Sequence, residues 1–209
     1  MLVGLCGGSG AGKGYVAELF LERGIPSIDT DAVYRNLTAP APEPSECMKA
    51  LCCHFGNIVL SEDNSLNRAE MRRLVFGEEN KENLKALNRI SHKFILEKTL
   101  SLAEEYENNG FGIVLIDAPV LYESGFDKLC EKVICVTADE KVRIRRIVRR
   151  DKITEEAAKE RIISQTSAKE AEEKADYVIE NNGNDAEMIP KIDDCVADLK
   201  KLYNSKESI

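Results

Sequence analysis

The feature that most restricts the fold lies at the start of the chain. An apolar run, Leu2–Cys6, leads directly into Gly7–Gly14, which reads GGSGAGKG, and apolar residues at helical spacing follow from Tyr15. A strand, a glycine-rich loop and a helix in this order are what the phosphate-binding pattern G-x-x-x-x-G-K-[S/T] requires. Glycines let backbone N–H groups wrap a phosphate, and the N-terminus of the next helix adds positive potential. We therefore expect a nucleotide phosphate site here, with the Lys13 amine on the β- and γ-phosphates.

One position of this loop departs from the pattern. Gly14 stands where a Ser or Thr is expected, and that hydroxyl is ordinarily a direct Mg²⁺ ligand. Either a water molecule replaces the hydroxyl, or the metal site is weakened. The alternative for the whole segment is a glycine-rich connector that binds no ligand. The other motif positions match the pattern at the required spacing, which disfavours this alternative.

Further strands are indicated by four more short runs, most of them continuously apolar. They are Ser27–Asp29, Gly112–Asp117, Lys132–Thr137 and Tyr177–Asn181. Continuous apolar strands are buried on both faces, and helical patterns lie between them. The sequence therefore predicts an α/β fold in which a doubly wound five-stranded parallel sheet is flanked by helices.

The chain of 209 residues is long enough for one such domain. We expect the core to comprise 1–31, 111–138 and 175–205. The connection of about 32–110 is too long for a simple crossover and is nearly all helical in pattern, so it predicts an inserted helical subdomain. An insertion after the second strand would lie over the strand C-termini, where ligands bind in open α/β sheets.

Composition excludes several classes of protein. The net charge of −8 argues against a general nucleic-acid binder, which needs a basic surface. No apolar stretch is long enough to cross a bilayer and no basic leader precedes the first strand, so we expect a soluble cytoplasmic protein. Seven cysteines without zinc-ribbon spacing predict reduced, mostly buried thiols, and the neighbours Cys52 and Cys53 form a strained redox pair at best.

One segment is strongly basic although the chain as a whole is acidic. Between Lys141 and Lys152 there are seven cations and one anion. On a helix Arg143, Arg146 and Arg150 lie on one face, and guanidinium groups hold phosphate oxygens at two points. This face predicts contact with a small polyanion such as a triphosphate. The alternative is a solvated face paired with the acidic residues Glu155, Glu156 and Glu160.

Three carboxylates follow predicted strands. Asp29 and Asp31 end the second strand and point the same way if that strand continues, so one can take a proton from an attacking hydroxyl while the other helps to hold Mg²⁺. The alternative is a helix N-cap. Asp117 ends the third predicted strand, which is the position of a Walker B carboxylate. The alternative is that Asp117 is only a turn residue. His92, inside the insertion, is by itself more often structural than functional.

Taken together, these motifs resemble the dephospho-CoA kinase family, whose members phosphorylate the ribose 3′-hydroxyl of dephospho-CoA with ATP. The resemblance runs from Leu2 to about Gly183 and implies that the α/β fold is a P-loop kinase core. Besides the glycine loop it rests on Ile28–Asp31, Leu66–Arg68, Val75-Phe76, Ala118–Gly125, Arg146 with Arg150-Asp151, Gln165 and Ala175–Gly183. The Pro-x-Leu-x-Glu-Ser and Ala-Asp-Tyr-x-Ile-x-Asn patterns in two of these segments are far more specific than the loop.

The resemblance implies a role for each matching residue. Asp31 would activate the 3′-hydroxyl, and Lys13 and Arg146 would act on the phosphates, with Arg146 and Arg150 on a lid of about 139–168. The implied ATP-binding residues are Gly8, Ser9, Gly10, Ala11, Gly12, Lys13, Gly14, Tyr15, Arg146, Arg150 and Asn181. The helical insertion would bind the acceptor, and the implied acceptor residues are Asp31, Arg35, Arg68, His92, Tyr122 and Glu123.

The resemblance also implies Mg²⁺ as cofactor, near Asp29 and Asp117, and ATP and dephospho-CoA as small-molecule partners. No nucleic acid, membrane or obligate protein partner is expected. The chain departs from the family pattern where Lys93 replaces a proline, where Gly14 and Tyr15 replace Ser-Thr, and where Arg143 stands in place of a common Gln. Two alternatives remain open: another P-loop nucleoside or nucleotide kinase, and a catalytically silent nucleotide-binding protein.

Overall fold

The computed structural model describes residues 1–164 and 167–207, so Gln165 lies outside the described residues. Its strands are β1 (Leu2–Cys6), β2 (Ser27–Asp29), β3 (Val114–Asp117), β4 (Lys132–Thr137) and β5 (Tyr177–Glu180). They form one sheet in the order β2-β3-β1-β4-β5, and β1 pairs in parallel with both β3 and β4. The predicted five-stranded parallel sheet is thus confirmed, with β3 starting two residues later and β5 ending one residue earlier than the apolar pattern suggests.

Nine α-helices lie within the described residues. They are α1 (Lys13–Leu21), α2 (Thr30–Leu37), α3 (Glu46–Phe55), α4 (Arg68–Val75), α5 (Lys81–Asn108), α6 (Glu140–Asp151), α7 (Glu155–Ile163), α8 (Ser167–Lys174) and α9 (Asp185–Glu207). Among these residues no helix has both the length and the apolar character that crossing a membrane demands.

The chain divides into two compact units. The first comprises 1–28 and 103–209, and the second comprises 29–102. In the first unit β1 lies at the middle of the sheet, and Val3 and Leu5 are fully buried there. Val16 and Phe20 of α1 and Leu199 of α9 belong to the same core. Burial on both faces explains why β1, β3 and β4 read as uninterrupted apolar runs.

The second unit has a core of its own. Met48 and Leu51 of α3 pack with Met71 and Val75 of α4, and half-buried apolar side chains of α5 complete the cluster. Two of its helices begin at residues whose side chains cap the helix N-terminus. The Ser45 hydroxyl accepts a hydrogen bond from the Met48 N–H, and the Asn67 side chain accepts one from the Glu70 N–H.

Candidate active site

The glycine loop joins the C-terminal end of β1 to the first turn of α1, and its shape depends on glycine at specific points. Gly10 and Gly12 have φ angles of +79° and +92°, which side-chain-bearing residues rarely adopt. A Cβ on Gly12 would lie 2.4 Å from Nδ2 of Asn181, and one on Gly10 would lie 2.7 Å from the Arg143 carbonyl oxygen. The loop is therefore closely covered by α6 and by the segment after β5.

Lys13 is the first residue of α1, and its amine forms an ion pair with Asp117. The distance from Nζ to Oδ1 is 2.5 Å, and the two side chains are only 16% and 14% exposed. Asp117 ends β3 and is in register with Leu5 of β1, so the sheet itself carries the carboxylate to the loop. The predicted Walker B position therefore lies beside the predicted phosphate-binding lysine.

The three arginines of α6 lie on the loop side of their helix, as their spacing predicts. Arg143 donates from Nε to the Ser9 carbonyl oxygen at 2.9 Å. The Arg150 guanidinium lies 3.4 Å from the Ser9 hydroxyl and also pairs with Asp151. These contacts direct two cations at the loop of an otherwise acidic chain, and Arg146 adds a third.

Arg146 makes the most extensive contacts of the three. Its Nη1 donates to the carbonyl oxygens of Gly10, Ala11 and Asn181 at 3.2, 3.1 and 2.9 Å. Its Nη2 donates to Oδ1 of Asn181 at 2.9 Å. Partial burial lowers the pKa of Arg146 below its ordinary value, but a guanidinium remains charged at neutral pH. Arg146 therefore ties the glycine loop to the C-terminal end of β5.

Gly14 and Tyr15 occupy the places where a Ser-Thr pair is usual. A Cβ on Gly14 would meet nothing within 4 Å, so there is room for a water molecule where the hydroxyl would project. Tyr15 is 40% exposed and donates its hydroxyl to Asp185 at 2.8 Å, which raises the pKa of the phenol. The first turn of α1 is thereby linked to the first turn of α9.

A divalent cation fits these residues. Mg²⁺ in phosphate sites is commonly held by one or two carboxylates, substrate phosphates and several waters, and it needs no cage of protein ligands. Asp117 supplies a carboxylate beside the loop, and Gly14 leaves space for a water. Within the part of the chain that the structure describes, no group of three or more His, Cys, Asp or Glu residues could hold a metal.

Two of the predicted carboxylates belong to the second unit. The strand does not continue to Asp31, since β2 ends at Asp29 and α2 begins at Thr30, so Asp29 and Asp31 do not share a strand face. Asp29 is the N-cap of α2. It accepts hydrogen bonds from the Ala32 N–H at 3.0 Å and from Arg35 at 3.2 Å. Asp31 lies exposed in the first turn of the helix and is not its cap.

The second unit also carries the predicted acceptor residues Arg35, Arg68 and His92. Arg35 and Arg68 are exposed, and Arg68 lies at the first position of α4, 3.5 Å from the Thr38 hydroxyl. His92 lies half-buried on α5, and this burial lowers its pKa, so its imidazole is neutral at neutral pH. It therefore suits hydrogen bonding rather than charge pairing.

Tyr122 and Glu123 lie in the loop after β3, in the first unit. Glu123 is exposed, whereas the Tyr122 hydroxyl is buried and has no hydrogen-bond partner among the described residues. Desolvation raises the pKa of Tyr122 to about 12. Buried hydroxyls ordinarily have a partner, so this one is suited to receive a ligand or water.

A cavity of about 490 Å³ opens beside the loop, in the first unit. Sequence reasoning missed most of its lining. The residues around it are Gly8, Ala11, Cys135, Val136, Thr137, Ala138, Glu140, Arg143, Ile162, Ile163, Lys169 and Glu172. Thr137 ends β4, and the rule that ligands bind at the C-terminal ends of parallel strands would have found it.

Comparisons with known proteins agree with one another. A sequence model described as dephospho-CoA kinase matches residues 1–187. The dephospho-CoA kinase of Fusobacterium nucleatum is 35% identical over 193 residues, which cover 92% of this chain and 95% of that protein. TT1252 from Thermus thermophilus superposes with a TM-score of 0.74 at 25% identity, over 96% of each chain. Dephospho-CoA kinase from Campylobacter jejuni has a TM-score of 0.59 at 23% identity, over 94% of this chain and 96% of that one, and supports the fold.

Proposed function

Because the chain belongs to the dephospho-CoA kinase family, it is a kinase that phosphorylates dephospho-CoA with ATP, and we propose which of its residues bind the substrates and transfer the phosphoryl group. The observation that carries the proposal is the convergence of Lys13 and three α6 arginines on one glycine loop. That arrangement suits the triphosphate of the donor.

On the donor side, the phosphates lie in the loop between residues 8 and 15. The Lys13 amine leaves Asp117 for the β- and γ-phosphate oxygens, because a phosphate with several negative charges attracts an ammonium group more strongly than one carboxylate does. Arg146, to which the resemblance assigns action on the phosphates, acts in this proposal through the loop: with Asn181 it keeps the loop backbone in shape beside the nucleotide. Arg143 and Arg150 neutralise charge that develops during transfer.

On the acceptor side, Asp31 takes the proton of the ribose 3′-hydroxyl. Its exposed carboxylate lies in the first turn of α2, where it is free of the capping role that Asp29 fills. Arg35 and Arg68 bind anionic groups of the acceptor, and His92, Tyr122 and Glu123 bind its polar groups. The neutral imidazole of His92 and the buried hydroxyl of Tyr122 both suit this work.

The kinase uses a divalent metal, which we propose is Mg²⁺. Asp117 would hold it through a carboxylate oxygen once Lys13 has moved to the phosphates, and a water would stand at Gly14. Asp29 is the second candidate ligand, although both of its oxygens already accept hydrogen bonds. When bound, the cation offsets negative charge on the donor phosphates. We place the reaction in the cytoplasm, which suits a chain whose seven cysteines are all free thiols.

The reaction is tested by incubating the purified protein with Mg²⁺, ATP and dephospho-CoA and detecting coenzyme A by mass. Transfer to the ribose 3′ position, and ATP consumption that depends on the acceptor, are expected. Equal ATP hydrolysis with and without dephospho-CoA would count against the assignment.

The two alternatives have their own readouts. A panel of nucleosides and nucleotides, assayed with the same preparation, identifies a kinase for another acceptor if one of them is turned over faster than dephospho-CoA. A silent nucleotide-binding protein would bind ATP but show no Mg²⁺-dependent turnover with any acceptor.

A further inference from the structure

Two buried cysteines face each other across neighbouring strands, directly beneath the glycine loop. Cys6 is the last residue of β1, and its register partner in β4 is Cys135. Their exposed fractions are 2% and 1%. Partner residues on adjacent parallel strands point to the same face and lie about 4.8 Å apart between Cα atoms, within the range of about 4.4–6.8 Å that disulfides bridge.

The two thiols differ in character and in access. The side-chain hydrogen bond between the two thiols lowers the pKa of Cys135 and raises that of Cys6. Arg143 also favours the thiolate of Cys135, whereas burial and the nearby Glu172 oppose it. Cys135 lines the cavity of about 490 Å³, and Cys6 does not. Cys135 is therefore the thiol of the pair that lies next to the cavity.

We propose that Cys6 and Cys135 form a thiol–disulfide exchange site that reacts with low-molecular-weight disulfides. The Cys135 thiolate attacks one sulfur of a small disulfide RSSR, forms a mixed disulfide and releases RS⁻. Cys6 then attacks the Cys135 sulfur, and the second RS⁻ leaves. The protons of the two cysteine thiols pass to the released thiolates, so two protein thiols become one disulfide while RSSR is reduced to two RSH.

The site is placed to affect the phosphate loop. Cys6 is followed directly by Gly7, and Cys135 by Val136. A Cβ on Gly7 would lie 2.3 Å from the Val136 carbonyl oxygen, so the start of the loop is already packed tightly on β4. Covalent closure draws these two strand ends closer together. Because small displacements of positioning groups cost large factors in rate, we expect kcat/KM for ATP to fall by about tenfold or more on oxidation.

The experiment treats the wild-type protein with cystamine, a small disulfide, and maps the product by mass without reduction. Trypsin places Cys6 and Cys135 in the peptides 1–13 and 133–141, each of which contains one cysteine. We expect a link between these two peptides that has lost two hydrogen atoms, a parallel loss of kinase activity, and recovery of both after treatment with a thiol reductant.

Substitutions separate the two thiols. Cys6→Ser should stop the reaction at a stable mixed disulfide between Cys135 and cysteamine, which is one half of cystamine. Cys135→Ser should leave Cys6 unmodified. Cys195→Ala is the matched control, because Cys195 is equally buried in the same unit and burial raises its pKa to about 12. This variant should still form the link.

Two results would overturn the proposal. One is modification confined to other cysteines, such as the exposed Cys53, with no link between the two peptides. The other is full kinase activity in protein that carries the link. Since the link is detected by mass, its absence leaves the proposed kinase reaction untouched, and a protein without kinase activity can still form it.

Discussion

At the scale of single residues, two glycines of one loop should respond in opposite ways to the same substitution. A Cβ on Gly14 would have open space around it, so Gly14→Ser adds the usual hydroxyl without a clash. If a water now fills that position, the variant should be as active as the wild type or more active, most clearly at low Mg²⁺. The measurement is kcat/KM for ATP as a function of free Mg²⁺.

Gly12→Ser is the control for this substitution. Gly12 combines a φ of +92° with a 2.4 Å approach to the Asn181 side chain, so a Cβ there strains the backbone and pushes Asn181 away. We expect this variant to lose most activity at every Mg²⁺ concentration. Loss of activity in Gly14→Ser as well would mean that the loop closes around Gly14 when nucleotide binds.

Asp31 and Asp29 provide a second residue-scale test. Asp31→Asn keeps the size of the side chain but removes the proton acceptor, so kcat should fall by about 10²–10⁴ while KM changes little. Asp29→Asn is the comparison variant. Asparagine also caps helices well, so α2 should remain stable and any loss of activity would come from the candidate Mg²⁺ ligand, not from the cap. Steady-state kinetics with dephospho-CoA measure both. An Asp31→Asn enzyme with undiminished kcat would remove Asp31 from the catalytic role.

The same two aspartates show what sequence reasoning can and cannot resolve. Either residue is a plausible ligand, base or cap, because Asp is favoured in all three roles. What separates them is the residue at which the strand gives way to the helix, and strand ends are set by sheet pairing rather than by local propensity. Only the structure shows that Asp29 caps α2 and that Asp31 does not.

At the scale of elements, α6 holds the loop through one arginine more than through its overall charge. Arg146→Lys keeps the charge but cannot reach three carbonyl oxygens and an amide oxygen with a planar fork. Since charged hydrogen bonds contribute about 1.5–3 kcal/mol each, kcat/KM for ATP should fall by about tenfold to a hundredfold. Arg149→Lys, on the exposed side of the same helix, should leave it unchanged. Equal effects of the two substitutions would mean that only charge matters.

The central strand also supports the loop after β3. A Cβ on Gly4 would lie 2.6 Å from Cδ2 of Leu121, which is 1% exposed and precedes Tyr122. Gly4→Ala should therefore lower the free energy of unfolding by about 1–3 kcal/mol through overpacking. Urea denaturation measures this. Gly14→Ala, with nothing near its Cβ, is the control and should not destabilise the protein comparably.

A double substitution tests whether contact with Leu121 is what destabilises the Gly4→Ala variant. Leu121→Ala alone leaves a cavity and should cost about 2–5 kcal/mol. In Gly4→Ala/Leu121→Ala the added methyl group occupies part of that cavity, so the double variant should be more stable than the sum of the two single losses predicts. Strict additivity would contradict the contact.

Whether an element can be predicted depends on how far apart in the sequence the residues that specify it lie. The strands β1, β3 and β4 can be predicted because burial on both faces leaves continuous apolar runs. The arginine face of α6 can be predicted because residues three, four or seven positions apart lie on the same side of a helix. The packing of Leu121 on Gly4 and the pairing of Cys6 with Cys135 join residues about 120 positions apart, and strand order decides both. Local pattern carries no information about that order.

At the scale of the whole molecule, the protein combines a net charge of −8 with one cationic helix beside its phosphate loop. The long-range field of the molecule repels ATP, whereas the field near the loop attracts it. At moderate ionic strength the Debye length is about 10 Å, so a nucleotide near the loop responds mainly to Lys13 and to the cations of α6. The sequence predicts this contrast through its net charge and the basic segment between Lys141 and Lys152, but it does not show which of the cations face the loop.

This contrast predicts how ATP binding depends on salt. As the Debye length falls to about 3 Å at 1 M salt, the attraction of the cationic helix is screened, so KM for ATP should rise steadily with ionic strength. Lys141, Arg145 and Arg149 are exposed cations of α6, outside the set of three arginines that contact the loop. Changing all three to Gln should flatten the salt dependence while leaving KM at high salt near the wild-type value, because direct contacts remain. A KM that does not change with salt would mean that contacts alone, and no longer-range field, bring ATP to the loop.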